Sequence, residues 1–261
     1  MTALAATAAV TAAAFGLLWL ASLRLRDVSI VDVFWGPGFV VISVVAAALS
    51  EGPLARRALV VALVALWGLR LGLHLFRRNR GQQEDFRYRK MRERHGERFA
   101  WVSLWTVFGL QALLMWIVSL PVQAAVLARE PASLGAFDLA GTIVFAVGFA
   151  FEAVGDWQLA RFRADPANRG RVLDTGLWAW TRHPNYFGDA VVWWGLFTLA
   201  LPTPWGVATV VGPIVMTVLL RRVSGVTLLE RSLRRSKPGY AEYVERTSPF
   251  LPWPPRRASS R

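Results

Sequence analysis

From Ala3 to Leu23 the chain carries no charged residue, and a run of that length admits few folds. Crossing a bilayer as a helix takes about 20 apolar residues. Inside hydrocarbon, backbone groups must also be satisfied within the segment itself. Six further stretches come near the same condition: 29–49, 58–76, 101–127 (broken by Pro121), 139–159, 186–201 and 206–220. With 54% hydrophobic and 18% charged residues, the composition is that of a chain facing lipid. The expected fold class is an all-α integral membrane protein, a bundle of about seven transmembrane helices. We expect one domain over 1–253, with residues 254–261 a disordered tail. Arg24 and Arg26 follow the first apolar run and no basic residue precedes it. That order suits a retained first span better than a cleaved signal.

The net charge of +13 raises nucleic acid as a partner, but the basic residues sit in connections between apolar runs. Membrane proteins collect Lys and Arg on the cytoplasmic side, beside anionic lipid. The connections after the first, third and fifth runs, together with the C-terminal tail, hold 26 of the 30 Lys and Arg. The opposite side keeps Arg56, Arg57 and Arg129, and Arg70 lies within the third run. The expected orientation therefore puts the N-terminus outside and the C-terminus in the cytoplasm, with membrane lipid and not nucleic acid as partner. The chain has no cysteine, which excludes disulfides and thiolate metal sites. Its three histidines, His74, His95 and His183, are scattered, so no metal is expected.

The polar groups near the apolar layer gather in a few places. Residues 176–189 form a proline-broken knot that includes Thr181, Arg182, His183, Pro184, Asn185, Tyr186 and Asp189. Pro184 restrains the residue before it, so His183 is expected at a helix boundary. Gly188 admits a close neighbour against the next helix. Polar groups in such a setting are costly unless they meet one another, the backbone or a ligand, and the ligand expected is a cofactor. Four charged groups fall on the same side. They are Asn79 to Lys90, with Arg87 and Tyr88; Glu152 and Asp156 one turn apart, then Arg161 and Arg163; Arg171 to Gly176; and Glu230, Arg231, Arg234 and Arg235 with Tyr240 and Tyr243. Guanidinium forks bind phosphate oxygens in pairs, so arginines converging on one pocket would fit a dinucleotide. Plainer readings stand beside this one. The basic stretches could be lipid-facing loops, Glu152 and Asp156 could simply pair with Arg161 or Arg163, and the tryptophans could form an interfacial belt.

A deeper set lies in the second and third runs. Asp32 and Trp35 share one helical face, as do Trp67, Arg70 and His74. Asp32 and Arg70 either form a structural pair or line a pocket for a lipophilic small molecule.

The run from Thr181 to Asp189, preceded by Asp174-Thr175-Gly176 and followed by Glu230, Tyr240, Tyr243 and Pro252, resembles the C-terminal half of the steroid 5α-reductase family. It is most similar to the bacterial steroid-reductase-like membrane proteins of undefined substrate. Those carry motifs similar to Val31-Asp32-Val33-Phe34-Trp35-Gly36 and Glu84-Asp85-Phe86-Arg87-Tyr88, so the resemblance covers about residues 28–253. It implies a seven-helix bundle, in a bacterial inner membrane, that holds NADPH on the cytosolic side. Hydride would pass to a C=C bond conjugated to a ketone in a steroid-like or isoprenoid-like substrate. It also implies cofactor-binding roles for Asn79, Asp156, Arg163, Arg171 and Asn185, and for Tyr186, Asp189 and Glu230, with Arg87, Tyr88, Arg182 and His183 beside them. Steroid reductases of the family polarise the ketone with a Glu in the second helix and a Tyr in the third. This chain has Phe34, Trp35, Trp67 and Gly68 near those places, so the expected catalytic residues are Asp32, Trp35 and Arg70. Isoprenylcysteine carboxyl methyltransferases, which bind S-adenosylmethionine, share a similar Arg-His-Pro knot and form the alternative. A non-catalytic lipid-binding helical protein is the third reading.

Overall fold

The computed structural model describes residues 2–223, 230 and 237–255. Among them the only β pairing is an isolated parallel bridge between Thr181 and Ser248. The rest is helix and connection: α1 (Thr2–Leu25), α2 (Ile30–Ala48), α3 (Leu54–Asn79), α4 (Phe86–His95), α5 (Phe99–Ser103), α6 (Leu110–Val118), α7 (Leu120–Leu127), α8 (Ala136–Ala164), α9 (Leu177–Trp180), α10 (Pro184–Ala200), α11 (Val211–Val218) and α12 (Tyr240–Arg246). Five helical stretches are long and apolar enough to cross a membrane: Thr2–Leu25, Ile30–Ala48, Leu54–Asn79, Phe86–Val118 and Ala136–Ala164. Leu66, Leu69 and Leu73 on α3, and Ile143 and Val147 on α8, are exposed. A surface that meets water rarely carries apolar stripes of this kind. Such faces suit contact with lipid, and the five apolar helices are consistent with an integral membrane protein.

Two expectations change. Residues 77–98 are not one polar loop. Asp85 caps a helix there, its carboxylate accepting the Arg87 N–H at 2.9 Å, as a short acidic side chain does at an N-cap. Helical backbone then continues through a 3₁₀ turn (Gly96–Arg98), α5, and a π-helical stretch (Leu104–Gly109) into α6. The helix expected from Trp101 thus starts at Phe86, and it breaks at Ser119, where Pro121 opens α7. The last two apolar runs also form shorter helices than the five above. α10 has 17 residues, and α11 has 8 before a π-helical turn, Leu219–Val223. Arg231, Arg234, Arg235 and residues 256–261 of the expected tail lie outside the described residues.

The chain divides into two compact units, 1–138 with 199–212, and 139–198 with 213–261. In the first, α2 and α3 meet at glycines. A Cβ on Gly36 would lie 2.2 Å from the Gly68 carbonyl oxygen. Pro37, inside α2, packs on Gly72 of α3, where a Cβ would come within 2.8 Å of its ring. A buried ion pair joins Arg56 to Asp138, with Nε to Oδ1 at 3.0 Å. Arg56 also donates to the carbonyls of Pro131 and Ser133, which ties residues 131–138 to the start of α3. In the second unit α8 and α10 meet the same way, Gly188 against the backbone of Gly148 and Glu152. The close approach expected at Gly188 is present.

Because backbone, not a flexible side chain, faces Gly36, Gly36→Ala must push α2 and α3 apart. Overpacking of this kind costs about 1–3 kcal/mol or more. The thermal midpoint in detergent should fall clearly, whereas Gly16→Ala, with nothing within 4 Å of the added Cβ, should leave it unchanged.

Candidate functional site

In the second unit the knot is assembled by three pieces of chain. α10 starts at Pro184, directly after His183, so the expected helix boundary is there. Asn185, in its first turn, donates from Nδ2 to Asp156 Oδ1 of α8 at 3.0 Å. Asn185 Oδ1 accepts the Tyr186 N–H at 3.1 Å. The Tyr186 ring stacks on His183, centroids 5.5 Å apart and planes 4° from parallel. His183 Nε2 lies 3.2 Å from Glu230 Oε1. Asp156, His183 and Asp189 are all buried.

Arg182 takes a different part. Its Nε and Nη2 donate to the two carboxylate oxygens of Glu230 at 2.8 and 3.3 Å. Its Nη1 donates to the carbonyls of Val244 and Thr247 at 3.0 and 2.7 Å. Both charges are nearly buried, at 8% and 13% exposure of the side chains. Burial alone would push the Glu230 carboxyl up, but hydrogen bonds from His183 and Arg182 and their charge hold it below its ordinary value. The C-terminal segment is stitched along the same stretch. The Tyr243 hydroxyl donates to Trp178 O at 2.6 Å, Thr181 Oγ1 donates to Phe250 O at 2.9 Å, and the N–H groups of Arg182 and Trp253 donate to Ser248 O and Trp180 O. Burial, then the neighbouring Tyr240, raises the Tyr243 phenol, so it stays a donor. Arg163 and Arg171 lie on the exposed surface of this unit. Arg163, Arg169 and Lys237 surround a hollow of about 360 Å³ that Asp165 also lines. The Lys237 ammonium donates to Arg171 O at 2.6 Å. Its pKa is lowered by burial and by the charge of Arg163.

In the first unit Asp32 is met by the segment after α3. The Tyr88 hydroxyl donates to Asp32 Oδ1 at 2.9 Å, and Arg87 Nη2 donates to Oδ2 at 3.1 Å. Arg87 also holds Asp85 through Nε at 2.9 Å. Burial would raise the Asp85 carboxyl, and the side-chain and backbone bonds from Arg87 outweigh it and lower it. Gln111 of α6 reaches the Tyr88 oxygen at 3.4 Å. Ser29 and Glu84 latch the segment to the turn before α2. Asp85 N–H donates to Ser29 Oγ, Val28 N–H to Glu84 Oε1, and Arg92 pairs with Glu84 at 2.8 Å. Trp35 packs edge-on against Phe39, which meets the fully buried Trp67. Arg70 is half-buried on α3, and Asn79 ends that helix.

In the sequence Arg87 and Tyr88 fall in one group and Asp32 in another, and the fold joins the two. Glu84 stands in the sequence only as part of the motif Glu84 to Tyr88, Ser29 carries no mark there, and Gln111 shows as a polar residue inside the run 101–127. That polarity was the one available signal for it. The expected cofactor set is distributed between the units: Asn79, Arg87 and Tyr88 in the first, and Asp156, Arg163, Arg171, Arg182, His183, Asn185, Tyr186, Asp189 and Glu230 in the second.

The profile of a family described as "Protein of unknown function (DUF1295)" matches residues 18–247. The chain belongs to this family. The matched region holds both clusters and stops before the last strapping residues, 248–253. An uncharacterized protein of Schizosaccharomyces pombe is 28% identical over 204 residues, 67% of this chain. The chain spans 58% of the length of that relative. No solved structure matches the chain.

Proposed function

We propose that this DUF1295 protein is an NADPH-dependent membrane reductase acting on a C=C bond conjugated to a ketone in a lipophilic, steroid-like or isoprenoid-like substrate. The observation that carries the reading is the carboxylate–phenol pair of Asp32 and Tyr88. The family that the sequence resembles polarises its ketone with a Glu and a Tyr. Here an Asp on the second helix and a Tyr on the segment after the third lie at hydrogen-bond distance, a pairing that supports the same chemistry by other positions. The donor set also suits the cofactor. The hollow beside Arg163, Arg169 and Lys237 gathers three cations, and burial, then the charge of Arg163, lowers the Lys237 ammonium; a phosphate there would meet that positive charge. Asn185, held by Asp156, and the stacked His183 and Tyr186 offer polar and aromatic contacts to the rest of a dinucleotide.

NADPH, when bound, would be the source of hydride for the carbon β to the carbonyl. The Tyr88 hydroxyl, turning its one proton away from Asp32, would donate to the oxygen on which enolate charge develops. Stabilising that charge is the chief catalytic demand. Arg87 and Gln111 orient the pair, Arg70 adds positive charge on α3, and a proton from water or a nearby acid completes the α-carbon. In the membrane, α10 and α11 with its π-helical turn serve as the sixth and seventh spans. The basic connections face the cytoplasm and the N-terminus lies outside.

Separate titrations of the purified protein with NADPH and with S-adenosylmethionine test this. A thermal shift with NADPH alone is expected. A shift with the methyl donor alone would transfer the chain to the methyltransferase class, and no shift with either would leave a lipid-binding protein. Asn185→Ala and Arg171→Ala should each weaken NADPH binding, by roughly ten- to a hundredfold for one lost charge-assisted hydrogen bond; the apo thermal midpoint should hold in Arg171→Ala and fall in Asn185→Ala, which takes a donor from the buried Asp156. Unchanged affinity in both would remove the cofactor assignment.

A further inference from the structure

The second unit holds another hollow that the proposed reaction does not use. Its volume is about 400 Å³, and it lies between α10, with Val191 and Trp194, and the C-terminal residues Phe250 and Leu251. Apart from Thr217, Ser248 and Arg221 its walls are apolar. The Thr217 hydroxyl donates to Pro213 O and accepts from the Trp194 indole, so its hydrogen bonding is met without a ligand. Arg221 sits at the rim, in the π-helical turn that follows the apolar α11, with its guanidinium 5.4 Å from the Phe250 ring centre. Local π turns often mark functional positions in helices. Leu251 is 65% exposed beside it. An apolar slot with a cation at its mouth, set where an apolar helix turns basic, matches an amphiphile with an anionic head.

We propose that this hollow seats an acyl chain of an anionic phospholipid, with the headgroup phosphate on Arg221. A zwitterionic lipid carries an ammonium that the Arg221 charge disfavours, and a free phosphate would leave the slot unfilled.

The full chain in phosphatidylcholine nanodiscs, titrated with phosphatidylglycerol brominated on its acyl chains, tests the assignment. Quenching is read as the difference between wild type and Trp194→Phe, alongside the thermal midpoint. Brominated phosphatidylglycerol should quench the Trp194 component and raise the midpoint, and brominated phosphatidylcholine at equal density should do neither beyond background. Arg221→Gln should weaken the phosphatidylglycerol effect about fivefold, the worth of one arginine at an anionic surface. Arg221→Lys should restore most of it, and NADPH affinity should not change. Equal quenching by both lipids would overturn the proposal. So would an equal midpoint shift from soluble glycerol phosphate, or a lipid effect lost with Arg163→Gln and kept with Arg221→Gln. The Trp194 difference reads the slot in wild-type protein, so the result does not depend on any Arg221 variant folding.

Discussion

Arg182→Ala is expected to free the C-terminal segment and to unfold the second unit at markedly lower temperature. The guanidinium satisfies both oxygens of Glu230 and two backbone carbonyls of the 244–247 stretch, all in a nearly dry setting. Removing one member of a buried pair strands the other, at a cost of about 3–5 kcal/mol. The checks are a thermal melt and limited proteolysis after Arg246, where cleavage should speed up before the spans unfold. Glu230→Gln, which keeps the shape and loses the charge, should fall between wild type and Arg182→Ala. pH gives an independent reading with a fixed sign. The folded carboxyl of Glu230 lies below its ordinary 4.5, so its contribution is full above that value and is lost as pH falls through the lower, folded one. Acid should therefore bring wild type towards the Arg182→Ala pattern, and Glu230→Gln should flatten that dependence. If Arg182→Ala instead weakens NADPH binding and leaves the tail protected, the arginine is a cofactor ligand and not a strap.

That experiment bears on how much of this molecule its sequence reveals. Helices α1, α2, α3 and α8 follow from apolar runs, because length and the absence of charge constrain a segment in hydrocarbon more tightly than any local propensity. The early start of the fourth long helix does not follow, since Arg87 to His95 has no apolar face for periodicity to find. Asp85 as an N-cap was the readable sign. The knot was legible as a place, through Pro184 before an apolar run and polar residues that needed partners. Its partners were not, because the Tyr243, Thr181 and Arg182 contacts run mostly to backbone carbonyls some 65 residues away, and a carbonyl leaves no mark in a sequence. The same applies to Asp32. A carboxylate in an apolar run announces that it must be paired, but whether Arg70 or Arg87 and Tyr88 approach it depends on how the segment after α3 folds back. That path is set by small bonds from Ser29 and Glu84.

Tyr88→Phe should cost the most in turnover. The variant keeps the ring in its buried place and removes only the hydroxyl that lies 2.9 Å from Asp32. If that hydroxyl steadies the developing enolate, losing one such donor lowers kcat by about 10²- to 10³-fold. NADPH affinity and KM should move little, because the bond strengthens only as charge appears on the oxygen. NADPH oxidation with a panel of enones, a 3-oxo-4-ene steroid and an open-chain isoprenoid ketone among them, provides the readout. Asp32→Asn should also slow turnover, and it perturbs Arg87 as well, so the double variant with Tyr88→Phe matters. Two residues acting on one proton are not additive, and the double variant should be scarcely slower than the worse single one. A Tyr88→Phe enzyme with unreduced kcat on every accepted enone would leave Asp32, Arg87 and Tyr88 as a structural latch between α2 and the segment after α3, and the chemistry would have to be sought elsewhere in the chain.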